Sequence, residues 1–159
     1  MKLPEGFDVA FARLMLFEGG YVNDPADPGG ETRWGISKRS YPGEDIRNLT
    51  QARAQQIYLT DYWGPAGCDS IPLQAKYLVF DMAVHAGVRT AVMAVQTICG
   101  VVPDGKFGPV TAQAVQSMNG DKFAARFLGS RLDSLTKLPT WGSFSKGWAR
   151  RIAAQLMEV

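Results

Sequence analysis

The chain of 159 residues has one histidine, two cysteines and a net charge of only +2, and each shortage closes off a class of function. Catalytic zinc sites usually draw on more than one His, so a zinc amidase or peptidase is disfavoured and no metal is expected. Cys68 and Cys99 have no metal-ligand spacing and no His nearby. They read as two unpaired structural thiols, as synthesis in a reducing cytoplasm favours, with pairing left open after release to an oxidising compartment. No Ser-His-Asp spacing and no phosphate loop occurs, and no cofactor is expected. The small charge does not argue for nucleic acid, although weak attraction to anionic cell-wall polymers fits it. No apolar run reaches the roughly 18 residues a membrane span needs. Pro4, Glu5 and Asp8 interrupt the apolar stretch behind Lys2, so no signal peptide is read and the chain is expected to be made in a cytoplasm.

Most of the chain has helical periodicity. Phe7, Phe11, Leu14 and Met15 form an apolar stripe over residues 4–17. Thr50 is an N-cap candidate for a helix over 51–62 that stops at Gly64-Pro65. Residues 71–86 make the most apolar helix, with Pro72 near its start, Gly87 past its end, and Leu73, Tyr77, Phe80 and Val84 on one face. Its polar exceptions, Gln74, Asp81 and His85, fall on one side, which could line a cleft; Asp81 is expected to hold an Arg or a backbone loop. Further helices are expected from a Thr90 cap to Cys99, over 109–118 and 121–135, and from a Ser143 cap onward, with Phe144, Trp148, Ile152 and Leu156 on one face. Residues 20–48 break this pattern with recurrent Gly and Pro. Tyr21-Val22 and Trp34-Gly35-Ile36 are expected as short strands of a small hairpin.

Glu18 is the next term of the first apolar stripe, four residues after Leu14. A carboxyl carried on an apolar wall loses solvation, which favours its neutral form, and a general acid working near neutral pH needs that. A helix-end glutamate exposed beside Gly19-Gly20 is the alternative. Past it, Asp24 and Asp27 lie in a Gly/Pro-rich turn region. An acid on an apolar wall facing a second, polar carboxylate is what cleavage of a glycosidic bond requires.

The run Glu18-Gly19-Gly20-Tyr21, followed by Asn23-Asp24-Pro25-Ala26-Asp27-Pro28-Gly29-Gly30 and Thr32, Gly35 and Ile36, resembles the signature of glycoside hydrolase family 108, N-acetylmuramidases that include many phage endolysins. Phe80-Asp81-Met82-Ala83-Val84 with Gly87 resembles that family's second motif. Asp104-Gly105-Lys106-Phe107-Gly108-Pro109-Val110-Thr111, with Leu138-Pro139-Thr140-Trp141, Gly147-Trp148 and Arg150-Arg151, resembles the peptidoglycan-binding module that follows it.

The resemblance implies a mainly α, lysozyme-like α+β fold: a helical bundle with a small irregular hairpin near residues 20–48. It divides the chain into a catalytic part over 1–88 and a peptidoglycan-binding-like part over 89–159, packed as one unit because no flexible linker separates them. It makes Glu18 the general acid and Asp27 or Asp24 the second group, although Asp-Pro also starts turns. Phage lysozymes show a similar pattern of Glu, eight residues, then Asp, which Asp27 fits. Thr32 would hold the water, at a spacing one residue shorter than theirs. Tyr21 could stack on a sugar or pack under Glu18. Trp34 and Trp63 are candidates for the cleft or the core. His85, where the family usually has Asn, is a candidate substrate contact or a packing residue. Lys106 and Arg131 are taken as exposed basic residues of the second half. The function implied is hydrolysis of the bond between N-acetylmuramic acid and N-acetylglucosamine. The expected partner is the peptidoglycan glycan strand, with no nucleic acid and no membrane insertion. A monomer is expected, held in the host bacterial cytoplasm and released to the wall at lysis. A lytic transglycosylase and a non-catalytic wall-binding or secretion-accessory protein are the alternatives.

Overall fold

A computed structural model describes residues 3–16, 20–23 and 30–158. Glu18, Asp24 and Asp27 lie outside the described residues. Among those described the chain is mainly helical with one small antiparallel sheet, as the fold reading anticipates. The helices are α1 (Phe7–Met15), α2 (Gln51–Tyr58), α3 (Leu73–Ala86), α4 (Val88–Cys99), α5 (Pro109–Gln116), α6 (Gly120–Thr136) and α7 (Trp141–Leu156). The strands are β1 (Thr32–Arg33) and β2 (Ile36–Ser37). No helix among these residues is long and apolar enough to cross a membrane.

In α1, Phe7, Ala10, Phe11 and Leu14 are buried at the i, i+3, i+4, i+7 spacing that puts side chains on one face. The Phe7 ring stands edge-on to Trp63 and Phe80, at centroid distances of 5.2 and 5.8 Å. Phe11 meets Tyr58 at 5.7 Å. Losing a ring from such a cluster costs about 3–5 kcal/mol. Trp63 is therefore a core residue, 1% exposed, with its Nε1 donating to Asp69 Oδ1 at 2.8 Å.

Thr50 caps α2, its side chain accepting from the Arg53 amide at 3.2 Å. The helix continues into a π-helical turn over Leu59–Trp63. Every residue from Ala75 to Ala83 of α3 is buried. A helix enclosed on all sides is the centre of its domain, and α1, the π turn, α4 and α6 surround this one. Leu73 is the exception to the expected face: it lies in the first turn and is exposed. Gly87, at φ 88°, alone separates α3 from α4, which begins at Val88 without a Thr90 cap. Likewise α7 starts at Trp141, two residues before the expected cap Ser143. Its buried face is Ile152 and Gln155, whereas Phe144 and Leu156 are exposed. Cys68 is buried and Cys99 half-buried; both are free thiols, and burial pushes the Cys68 thiol up.

One fully buried charge joins the last two helices to α3. Asp81 accepts from Arg131 Nη1 at 2.6 Å, from Arg151 Nη2 at 2.5 Å and Nε at 3.2 Å, and from Gln155 Nε2 at 2.9 Å. Burial pushes its carboxyl up, but the Arg151 hydrogen bonds and the two guanidinium charges outweigh this and hold it below the usual carboxylate range. The expectation that Asp81 holds an Arg is met twice over. Arg131, taken as exposed from sequence, is 6% exposed and belongs to this cluster.

Removing one partner of a buried ion pair costs about 3–5 kcal/mol because the other charge stays buried. Asp81→Asn should therefore lower the unfolding free energy by about that amount at pH 7, read from urea titrations. The folded-state pKa is depressed. The stability it contributes is thus present above the unfolded value of about 3.9 and is lost as pH falls through the lower folded value. The gap between wild type and variant should narrow below about pH 4.

Candidate functional site

The C-terminal end of α1, which precedes Glu18 in sequence, lies against α3 and the end of α7. Arg13 stacks over the Tyr77 ring at 5.5 Å and pairs with Glu158 at 2.7 Å. Leu16, 81% exposed, borders a small recess that it shares with Tyr77, Arg151 and Gln155.

After residue 20 the chain returns along the hairpin. Val22 and Thr32 form an antiparallel bridge, Val22 N–H to Thr32 O at 2.9 Å and Thr32 N–H to Val22 O at 2.8 Å. Beside it the Tyr21 hydroxyl donates to Glu31 Oε1 at 2.8 Å. These bonds close the base of the segment that carries Asp24 and Asp27. Tyr21 is 41% exposed, and the hydrogen bond to Glu31 raises its pKa. Its ring is exposed and its hydroxyl is engaged by the Glu31 carboxylate. Sequence reading overlooked Glu31; its adjacency to Thr32 inside the motif is the signal that could have drawn attention to it.

Trp34 and Gly35 are the turn between β1 and β2, not part of a strand as expected. Arg33 pairs with Ile36, and the two turn residues lie at φ 54° and 73°. Positive φ at both central residues is the type I′ hairpin turn that matches strand twist. A tryptophan in this region is unusual and is held there only by strong surroundings. Two hydrogen bonds supply them: Trp34 Nε1 donates to Leu49 O at 3.1 Å, and the Tyr58 hydroxyl donates to Trp34 O at 3.1 Å. Trp34 is half-buried against the core, so it anchors the hairpin that carries Thr32.

His85 ends the polar side of α3. Its Nδ1 lies 2.7 Å from the Asp81 carbonyl oxygen, which makes that nitrogen the donor, and 3.6 Å from Asp81 Oδ1. Of the other members of that side, the exposed Gln74 donates to Asp121 of α6 at 2.9 Å, and Asp81 is enclosed against α6 and α7. His85 borders a cavity of about 470 Å³ between the end of α3, α6 and α7. No group of three His, Cys, Asp or Glu side chains among the described residues is arranged to hold a metal.

Comparison with known proteins agrees with this architecture. The family model for glycosyl hydrolase 108 matches residues 11–87, from within α1 to the turn after α3. The solved structure of SagA from Brucella abortus is 33% identical to the chain, covers 95% of it and 91% of itself, and superposes with a TM-score of 0.83. The chain belongs to glycosyl hydrolase family 108. No curated protein matches. Family membership makes the protein a glycoside hydrolase, and the matched span contains α1, the hairpin and the whole of α3. The family match ends at residue 87, so it lends no support to a wall-binding module in the second half.

The anchoring of Trp34 can be separated from sugar stacking. Trp34→Phe keeps an aromatic face but leaves the buried Leu49 carbonyl without its donor, a loss of about 1–3 kcal/mol. Melting should fall by roughly 2–4 °C per kcal/mol, with KM for the glycan unchanged at temperatures where the variant is folded. A raised KM with unchanged melting would instead make Trp34 a substrate contact.

Proposed function

We propose that the protein is an N-acetylmuramidase that hydrolyses the bond between N-acetylmuramic acid and N-acetylglucosamine in peptidoglycan. The observation that carries this reading is the bridge between Val22 and Thr32, four residues past Glu18 in a chain of family 108. It joins the two ends of the segment bearing Asp24 and Asp27, with Thr32 at one of them. In this reading Glu18 protonates the glycosidic oxygen. Asp27, with Asp24 as the alternative, stabilises charge at the sugar or activates water, and Thr32 holds that water. The enzyme acts as a monomer in phage-type lysis, made in the host cytoplasm and released to the wall. Residues 89–159 contribute wall contacts and no chemistry, and Lys106 is among the exposed basic residues there.

The test is Glu18→Gln. General acid catalysis contributes about 10²–10⁴-fold, so lysis of purified wall should drop by at least that lower bound, with melting unchanged or raised. A rate within about tenfold of wild type would overturn the assignment. Mass analysis of the products separates the rival chemistry, because a hydrolase leaves a reducing end and a lytic transglycosylase an anhydro sugar.

Asp27→Ala should lower wall lysis more than Asp24→Ala, whose main effect should be on stability through its turn. Small and equal losses of activity from both would favour the transglycosylase, which needs no second carboxylate.

A further inference from the structure

We infer that the cavity between α3, α6 and α7 receives the acid-bearing arm of the muramyl residue, its lactyl group and the first amino acids of the stem peptide. This rests on the muramidase reading and adds the feature by which the enzyme would tell peptidoglycan from an uncharged N-acetylglucosamine polymer.

Three observations support the assignment. The first is size: about 470 Å³ lies within the usual range for small-ligand sites. The second is charge. Among the described residues the lining includes Arg131 and Arg151 and no acidic side chain. The hydrogen bonds of Arg131 run from Nη1, to Asp81 and Gln155. Its Nε and Nη2 are thus left as donors, on a side chain only 7% exposed. A guanidinium already fixed by a buried carboxylate is well placed to bind a second carboxylate, since little side-chain entropy remains to be lost. The third is the apolar wall. Leu135, Leu138, Ile152 and Trp148 border the same space, which suits the methyl of a lactyl or alanyl group. Trp148 also continues outward as an aromatic patch, with Trp141 at 6.1 Å and Phe144 at 5.7 Å, and Phe144 is 56% exposed. Sugars stack on such faces, so a pyranose ring on the patch can direct its acidic arm inward to Arg131.

The test is binding, measured by calorimetry and by amide shifts, with monosaccharide probes that offer no bond to cleave. Muramyl dipeptide should bind at least about tenfold tighter than N-acetylglucosamine, with the largest shifts at Ser134, Leu138 and Trp148. The dipeptide's lactyl carboxyl is tied up as an amide, so tighter binding of the dipeptide than of N-acetylmuramic acid assigns the peptide acid as the group held, and tighter binding of N-acetylmuramic acid assigns the free lactyl carboxylate. Ser134 lies on the cavity wall at an exposed helix position. Ser134→Glu should weaken the dipeptide by about tenfold or more through like-charge repulsion, while Ser134→Lys preserves or tightens binding, with unchanged melting in both. Equal affinity for muramyl dipeptide and N-acetylglucosamine, or wild-type affinity in both Ser134 variants, would overturn the inference. Wall hydrolysis is scored separately: cavity binding without hydrolysis sinks the muramidase reading alone, and hydrolysis without cavity binding sinks this inference alone.

Discussion

The carboxylate of Asp81 sets the arrangement of everything after α3. An isolated charge with no solvent exposure is among the costliest groups a protein can bury, and here it is tolerated because four donor nitrogens surround it. Those donors come from α6 and α7, so the register of both helices against α3 is fixed by one side chain. A buried ion pair adds little net stability compared with apolar packing of the same volume. Its effect here is geometric. It selects the one packing in which Arg131, Arg151 and Gln155 all reach a single carboxylate, and alternatives leave a charge unpaired. The same packing leaves the cavity open beside His85, whose ring is oriented by the carbonyl of Asp81 itself.

A second constraint operates at the hairpin. Two two-residue strands cannot hold a loop in place by their own ladder. The hairpin is fixed instead from outside, by the indole of Trp34 on Leu49, by Tyr58 on the Trp34 carbonyl and by Arg33 Nη1 donating to the Arg47 carbonyl. Tyr58 belongs to the aromatic cluster with Phe11 and Phe80. The position of Thr32 therefore follows from the same core that seats α1, the helix leading to Glu18. The strained backbone at Trp34 is the local cost of this coupling.

Much of this was legible in sequence, for identifiable reasons. The stripe of α1 and the enclosure of α3 follow from periodicity, since Phe7, Phe11 and Leu14 recur at helical spacing and residues 75–83 include only two charged side chains, Lys76 and Asp81. Thr50 was readable as a cap because its side-chain chemistry acts locally. The errors lie where tertiary contacts override local pattern. Trp34 reads as a strand residue by β-propensity, but Leu49 and Tyr58, distant in sequence, hold it in a turn. Arg131 reads as a surface cation because its partner Asp81 is fifty residues away. Leu73 and Leu156 fit apolar stripes yet sit where their helices run past the core. Glu31 was missed because its partner Tyr21 is ten residues away in sequence.

The Asp104–Thr111 motif shows why a resemblance to a binding module and a structural role are hard to tell apart by sequence. Asp104 accepts from Gln96 Nε2 at 2.7 Å, and the amide of Gly105 donates back to Gln96 Oε1 at 2.9 Å. Gln96 also donates to Thr111 Oγ1 at 3.1 Å, so one buried amide joins both ends of the motif to α4. Between them Phe107 lies flat against Gly67, where an added Cβ would come within 2.3 Å of the ring. The residues that give the motif its signature, Asp104, Gly105, Phe107 and Thr111, are thus consumed in closing the loop and seating it on the N-terminal part of the chain. Of the motif's side chains, Lys106 is left pointing outward among the charged ones. By contrast the cavity between α3, α6 and α7 carries both arginines, Arg131 and Arg151, and the edge of the aromatic patch at Trp148.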